Sequence, residues 1–128
     1  MQGSNHFAAN LPPPFEKMTA MFNFDMAGAG NRAFASISPQ PVELRAAVLK
    51  ADQARGLLIG TREMGPPGVR GGDVTAFWNQ GVPCVYFMTN GPFPDYHRPG
   101  DSIFRVNPEI MAELAGLALR AACIFADR

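Results

Sequence analysis

Thirteen glycines and twelve prolines punctuate this 128-residue chain, and their clustering limits its fold more than any other feature. LPPP at 11–14, GTREMGPPGVRGG at 60–72 and TNGPFPDYHRPGD at 89–101 are the dense stretches. Proline has no amide donor and clashes with a preceding helical turn, so helices and central strands stop at such places. Most elements must therefore be short. The exception is the C-terminal stretch, where Asn107-Pro108 sets a capping side chain ahead of a proline at the first helical position. Ile110, Met111, Leu114, Leu117, Ala118 and Ala121 then keep a 3.6 period, which predicts a helix to about Ala126.

The shorter elements follow from the same punctuation. Gly3 to Asn10 reads as the end of a helix or a short helical turn, stopped by LPPP. Met18 to Phe24 (MTAMFNF) is an apolar run expected to be a buried strand; it delivers Asp25 just before the AGAG turn at 27–30. Ala33 to Ser38 is expected to be a second strand, paired with the first. Pro41 opens a helix whose apolar face is read as Val42, Ala46, Leu49 and Ala54, with Gly56 as its stop. Gly60 to Gly72 is read as a loop. It lacks the spacing of a phosphate cradle. Asp73 is positioned to cap the short helix VTAFWNQ, where Phe77 and Trp78 are expected to pack in the core. Val82 to Met88 (VPCVYFM) is the third strand, and it too runs straight into a polar loop.

Strands alternating with helices predict an α/β fold, one domain over 1–128, with a few-stranded sheet and flanking helices. Parallel-type strands want cover on both faces, and a chain this short has little material for it. Hydrophobic residues at 47% and charged residues at 17% suit a globular core rather than disorder. Acidic and basic residues balance at 11 each, so no net field draws nucleic acid or an anionic membrane. No apolar run approaches the ~20 residues of a membrane-spanning helix, and the N-terminal residues lack a signal-peptide layout. Cys84 and Cys123 are expected to be small buried hydrophobes, although their spacing leaves a disulfide open; with no C-x-x-C, a cysteine zinc site is excluded. Met18, Met21 and Met26 are read as gap-fillers along a strand and its exit.

Two of the predicted strands end in loops that carry Asp25 and His97, and binding sites in open α/β sheets gather beyond such strand ends. Each residue alone has an ordinary explanation, as a turn former or a surface histidine. The prolines flanking His97 restrict its backbone, which lowers the entropic cost of presenting a ligand. Asp101 could accept from the ring nitrogen facing away from a metal, as carboxylates behind metal-bound histidines do. Tyr96 adds a phenol able to orient a substrate.

At these residues the chain resembles the C-terminal half of the M28 zinc peptidases, aminopeptidases with a co-catalytic zinc pair. GSNHFAANLPPPFEKMTAMFNFDMAG is similar to the family's Gly-Ser turn, helix, proline-rich link and strand ending in Asp-Met-x-Gly. GGDVTAFWNQGVPCVYF is similar to its Ser-Asp-His helix and Gly-Ile-Pro strand, and DYHRPGD followed by FRVNPEIMAEL to its last metal-ligand loop and helix. The resemblance implies a partial three-layer α/β/α fold, zinc as cofactor in a two-ion centre, Asp25 as ligand to one ion and His97 to the other. It also implies hydrolysis of a peptide bond near a free N-terminus. Asp73, Tyr96 and Asp101 would then be supporting or substrate-side residues.

The pattern departs from the family in two respects. Gly72 stands where serine is usual and Val74 where histidine is, so helix capping becomes the better account of Asp73. The family's first histidine, bridging aspartate and Glu-Glu pair precede the Gly-Ser turn, and neither His6 nor Glu16 takes their places. Two protein ligands are fewer than the three or four of a tight zinc site, and no general base is assigned. The expectation is weak or absent zinc binding by this chain alone, with peptide as substrate only when an N-terminal half completes the site. A non-catalytic interaction module, self-associating or bound to a partner chain, is the alternative. A simpler ligand-binding role for Asp25, Tyr96 and His97 is a third reading. Relatives are often exported, and the sequence leaves localisation open.

Overall fold

The computed structural model describes residues 1–13, 17–68 and 72–127. Pro14 of the first break, Glu16, and 69–71 of the second loop lie outside them. In chain order the elements are α1 (Gln2–Ala9), β1 (Met21–Phe24), β2 (Ala33–Ile37), α2 (Val42–Asp52), β3 (Leu58–Glu63), α3 (Val74–Trp78), β4 (Cys84–Thr89), a 3-10 turn (Ile103–Arg105) and α4 (Pro108–Ala126). The fold is α/β: one mixed four-stranded sheet, in the order β1-β4-β2-β3, with flanking helices. Among the described residues no helix is long and apolar enough to cross a membrane.

β4 lies between β1 and β2, which corrects the expected pairing of the first two strands. It runs parallel to β1 (Phe22 opposite Val85, Phe24 opposite Phe87) and antiparallel to β2 (Ala35 opposite Phe87). Hairpin pairing of β1 and β2 would have followed from sequence proximity; burial decides otherwise, because β4 is the most apolar strand and takes the centre. β3, parallel to β2, corrects the reading of Gly60 onward as loop. A mostly exposed edge strand holding a glycine has little signal of its own; its identity comes from its β2 partner.

Alternation along the strands sorts the two faces. Ala35, Ile37, Val85 and Phe87 point to one side, where α2 and α4 cover them with Leu44, Val48, Leu114 and Leu117. Phe22 and Phe24 stack on Phe87 there, at 6.4 and 5.6 Å between centroids. Cys84 points to the other side and packs with Val74, Ala76 and Phe77 of α3 and Ala8 of α1. Phe77 is buried as expected, and the Trp78 indole donates to the Gly65 carbonyl at 2.9 Å.

The face of α2 is corrected: its buried stripe is Leu44, Ala47, Val48 and Ala51, while Val42, Ala46, Leu49 and Ala54 are exposed. Both stripes keep helical spacing. Arg45 reaches Thr61 at 3.2 Å and Glu63 at 3.8 Å, so the helix turns that side to the sheet edge and Leu44 to α4. On α4 the predicted stripe is buried except Met111. Asn107 caps it, accepting from the amides of Glu109 at 3.0 Å and Ile110 at 3.5 Å. The cysteines are both free; Cys84 is buried but Cys123 is exposed, contrary to expectation, because it falls off the stripe that meets α2.

Candidate metal centre

The parallel pairing of β1 with β4 sets their carboxyl ends at the same end of the sheet. Asp25 leaves one strand and the Asn90–Asp101 loop leaves the other, so two segments 65 to 76 residues apart in sequence converge. Together they line a cavity of about 600 Å³ that includes Asp25, Met26, Tyr96, His97, Asp101 and Phe104. Four of the five residues singled out from sequence thus share one hollow.

One ligand candidate sits on unusual backbone and the other directly precedes it. Met26, next to Asp25, has φ 51°, and His97 itself has φ 56°. These left-handed conformations cost non-glycine residues roughly 1–3 kcal/mol each and persist only where surrounding contacts impose them. Around Met26 the contacts are plain. Its carbonyl accepts from the Thr89 amide at 3.2 Å and the Thr89 hydroxyl at 2.7 Å, and the same hydroxyl accepts from the Ala29 amide at 3.2 Å. Thr89, fully buried, therefore shapes the turn that aims Asp25. Around His97, the Arg98 amide donates to the Asp95 carbonyl at 2.8 Å and the Asp101 amide to the Arg98 carbonyl at 3.0 Å. Arg105 closes on the Asp95 carboxylate at 2.8 Å; the contact is electrostatic, since the buried Oδ2 meets no donor at hydrogen-bonding angles. Tyr96 stacks on the imidazole, centroids 3.9 Å apart. No hydrogen bond joins Asp101 to His97 among the described residues.

Sequence reading missed Tyr86. Its hydroxyl lies 3.3 Å from Oδ2 of Asp25, the one side-chain hydrogen bond that carboxylate makes among the described residues. Burial, and then the negative charge of Asp25, push the phenol up to about 12. The donor therefore stays protonated at neutral pH. Gly72 is the second missed residue. Its φ is +67° and a Cβ there would stand 3.0 Å from Asp25 Oδ2, so the glycine lets the backbone pass beside the carboxylate. The pairing of Tyr86 with Asn23 across β1 and β4 is what brings the phenol to Asp25, and no local motif announces it.

Asp73 is elsewhere. Its backbone is helical (φ −69°, ψ −23°) and its side chain makes no capping bond, which corrects the capping role. A capping residue needs extended backbone to turn its carboxylate onto the following amides. Asp73 instead accepts from the Ser4 hydroxyl at 2.7 Å, which with the Met1 amino group lowers its pKa. It fastens α1 to α3.

Asp25 and His97 offer a carboxylate oxygen and an imidazole nitrogen, both normal zinc donors. They are too few. Among the described residues no group of three or more His, Cys, Asp or Glu side chains could hold a metal ion.

Residues 1–122 match the sequence profile of Peptidase family M28. The chain belongs to peptidase family M28. Its fold is shared with solved aminopeptidase structures. An aminopeptidase from Aneurinibacillus sp. strain AM-1 superposes with a TM-score of 0.74 at 22% identity, over 94% of this M28 chain and 29% of the other. BSAP, a zinc aminopeptidase from Bacillus subtilis, superposes with a TM-score of 0.70 at 23% identity, over 98% of this chain and 32% of the other. This M28 chain thus spans about 30% of the length of these aminopeptidases. No curated protein sequence gives a significant match.

Proposed function

We propose that this chain is the part of a zinc-dependent aminopeptidase that contributes Asp25 and His97, and that it does not hydrolyse peptides unaided. The observation that carries the reading is the convergence of these two donors on one cavity, His97 on left-handed backbone and Asp25 beside it. The shortage of donors among the described residues supports its second half. Completed by the remaining ligands and a general base, such a centre would bind a peptide by its N-terminal residue. The metal pair would supply a hydroxide and polarise the scissile carbonyl. The chain's own residues do the holding: Tyr86 fixes one oxygen of Asp25, Thr89 fixes the turn behind it, and Arg105 with Asp95 steadies the loop of His97.

Zinc calorimetry together with hydrolysis of an aminoacyl nitroanilide tests this. The isolated chain is expected to bind zinc no tighter than the micromolar range and to release no nitroaniline. Sub-micromolar binding, or turnover, by the monomer would overturn it.

The alternative of a non-catalytic interaction module is favoured by one feature, the poorly covered sheet face that holds Phe34, Tyr86 and Met88. Both readings make the unaided chain inactive. They part when the missing donors are supplied, since only the first expects zinc uptake to appear.

A further inference from the structure

One short segment stands between the two loops that carry Asp25 and His97. Asn107 holds the Asp25 side: its amide donates to the Gly28 carbonyl and its Nδ2 to the Gly30 carbonyl, each at 2.8 Å. Val106 packs there as well, since a Cβ at Gly28 would lie 3.5 Å from its Cγ1. Arg105 reaches the other way, with Nη2 2.8 Å from Oδ2 of Asp95. Residues 105–107 thus touch both the turn that follows Asp25 and the loop that presents His97.

At the His97 end one carboxylate gathers the loop. Asp95 lies two residues before His97, and Gly100 three after it. The Asp95 carbonyl accepts from the Arg98 amide at 2.8 Å, and a Cβ on Gly100 would stand 2.7 Å from its Oδ1. Bare glycine backbone therefore lets the carboxylate lie inside the loop, against both flanks of the imidazole. The remaining hydrogen bonds of 92–101 close within the loop. Among the described residues the Asp95–Arg105 pair is the one ion pair or hydrogen bond that ties 92–101 to the rest of the chain.

We infer that Arg105, Val106 and Asn107 form a strut that sets the spacing of the two donor loops, and that Arg105, acting through Asp95, is a positioning residue for His97. The inference rests on the reading of Asp25 and His97 as the donors of this chain. A loop whose hydrogen bonds are all internal keeps its shape yet can swing as a body. Its base is held by Asn90, which accepts from the Asn31 and Arg32 amides. Only the strut holds its far side. Oδ2 of Asp95 is buried and meets no hydrogen-bond donor, so the Arg105 charge compensates its burial. Loss of that cation would leave a buried carboxylate alone, and the loop would move to bring it to water. His97 would then leave its left-handed backbone, which persists only where contacts impose it. Asn107 anchors the opposite end of the same segment, so a displacement of one loop is passed to the other.

The test is NMR of the chain without metal, read at its two imidazoles, His6 on α1 and His97, and at the amides of Gly28 and Gly30. The His97 ring protons are expected upfield of those of His6, because Tyr96 stacks on that ring at 3.9 Å. Arg105→Met, Arg105→Lys and Asn107→Asp are compared with Arg98→Ala, an exposed guanidinium of the same loop with no ion pair among the described residues. Circular dichroism and melting establish that each variant folds. Arg105→Met is expected to bring the His97 ring signals to the His6 position and to shift the Gly28 and Gly30 amides. Arg105→Lys should restore both, since the contact is electrostatic. Asn107→Asp keeps the helix cap and loses the Gly30 tether, and should move His97, which it does not touch. A merely structural role would lower the melting temperature and leave the His97 signals in place. His97 unmoved by Arg105→Met, or moved equally by Arg98→Ala, would overturn the positioning role. Gly28 and Gly30 silent to Arg105→Met, or His97 silent to Asn107→Asp, would overturn the strut, and the second result decides alone where Arg105→Met does not fold. The spectra are recorded without zinc, so failure of the zinc reading in calorimetry leaves these shifts in place, and their absence leaves the calorimetry untouched.

Discussion

Tyr86 and Asp25, 61 positions apart, meet through a 3.3 Å hydrogen bond from the phenol to Oδ2, so one oxygen of the carboxylate is committed before any ligand arrives. Tyr86→Phe keeps the ring and removes that bond. The contact is long and half-buried, so the expected loss of stability is small, about 0.5–1 kcal/mol by thermal unfolding. Orientation matters more: in a zinc-competent assembly Tyr86→Phe should weaken metal affinity a few-fold by calorimetry, with the melting curve nearly unchanged.

Glycine 30 stands where two loops touch. At its φ of +73° a Cβ would fall on the Asn90 side-chain oxygen and the Gly91 carbonyl. Asn90 holds this turn by accepting from the amides of Asn31 and Arg32 at 3.0 and 3.1 Å. Gly30→Ala should therefore cost roughly 2–4 kcal/mol, from left-handed strain plus overpacking. Gly56→Ala is the control, with φ +59° but open space around it. It should cost only about 1 kcal/mol, the backbone term alone. Urea unfolding of both separates the two causes.

Asn107 works at both ends of its side chain. Its Oδ1 caps α4 while its Nδ2 donates to the Gly30 carbonyl at 2.8 Å, and its backbone amide donates to the Gly28 carbonyl at 2.8 Å. Asn107→Ala loses cap and tether and should cost about 2 kcal/mol. Asn107→Asp keeps a capping oxygen and loses the donor, so roughly half that cost is expected in the same denaturation series.

The two thiols should differ in reactivity. Cys123 is exposed, whereas Cys84 is fully buried and burial pushes its thiol up to about 12. The native chain should release one equivalent of chromophore with a disulfide reagent, and a second only in denaturant.

Alkaline stability follows from the same burial. The Cys84 thiol and the Tyr86 phenol ionise near 9 and 10 when unfolded, and near 12 when folded. Protons are held more tightly in the folded state, so this contribution is complete below pH 9 and falls as pH rises from 9 to 12. Urea midpoints should decline across that window, and Cys84→Ala should remove the earlier part of the decline.

Much of the α/β plan was legible because local chemistry specifies it. Asn107-Pro108 can only begin a helix, the run from Cys84 to Thr89 is too apolar to lie outside, and Asp25 and His97 follow apolar strands into loops. What lay beyond reach was pairing. Nothing in the local pattern says that β4 enters between β1 and β2, that Leu58–Glu63 becomes an edge strand, or that α2 turns Leu44 rather than Leu49 inward. Those outcomes depend on which surfaces bury together, and several registers satisfy each segment alone. The site shows the same division. Asp25 and His97 carry their chemistry in their side chains and their positions after strands, so the sequence by itself determined them as candidates. Tertiary structure alone decided that Tyr86 holds Asp25, that Gly72 makes room beside it, and that half of one sheet face is left bare. Each of these arises from residues far apart in the chain that meet only when β4 takes the centre of the sheet.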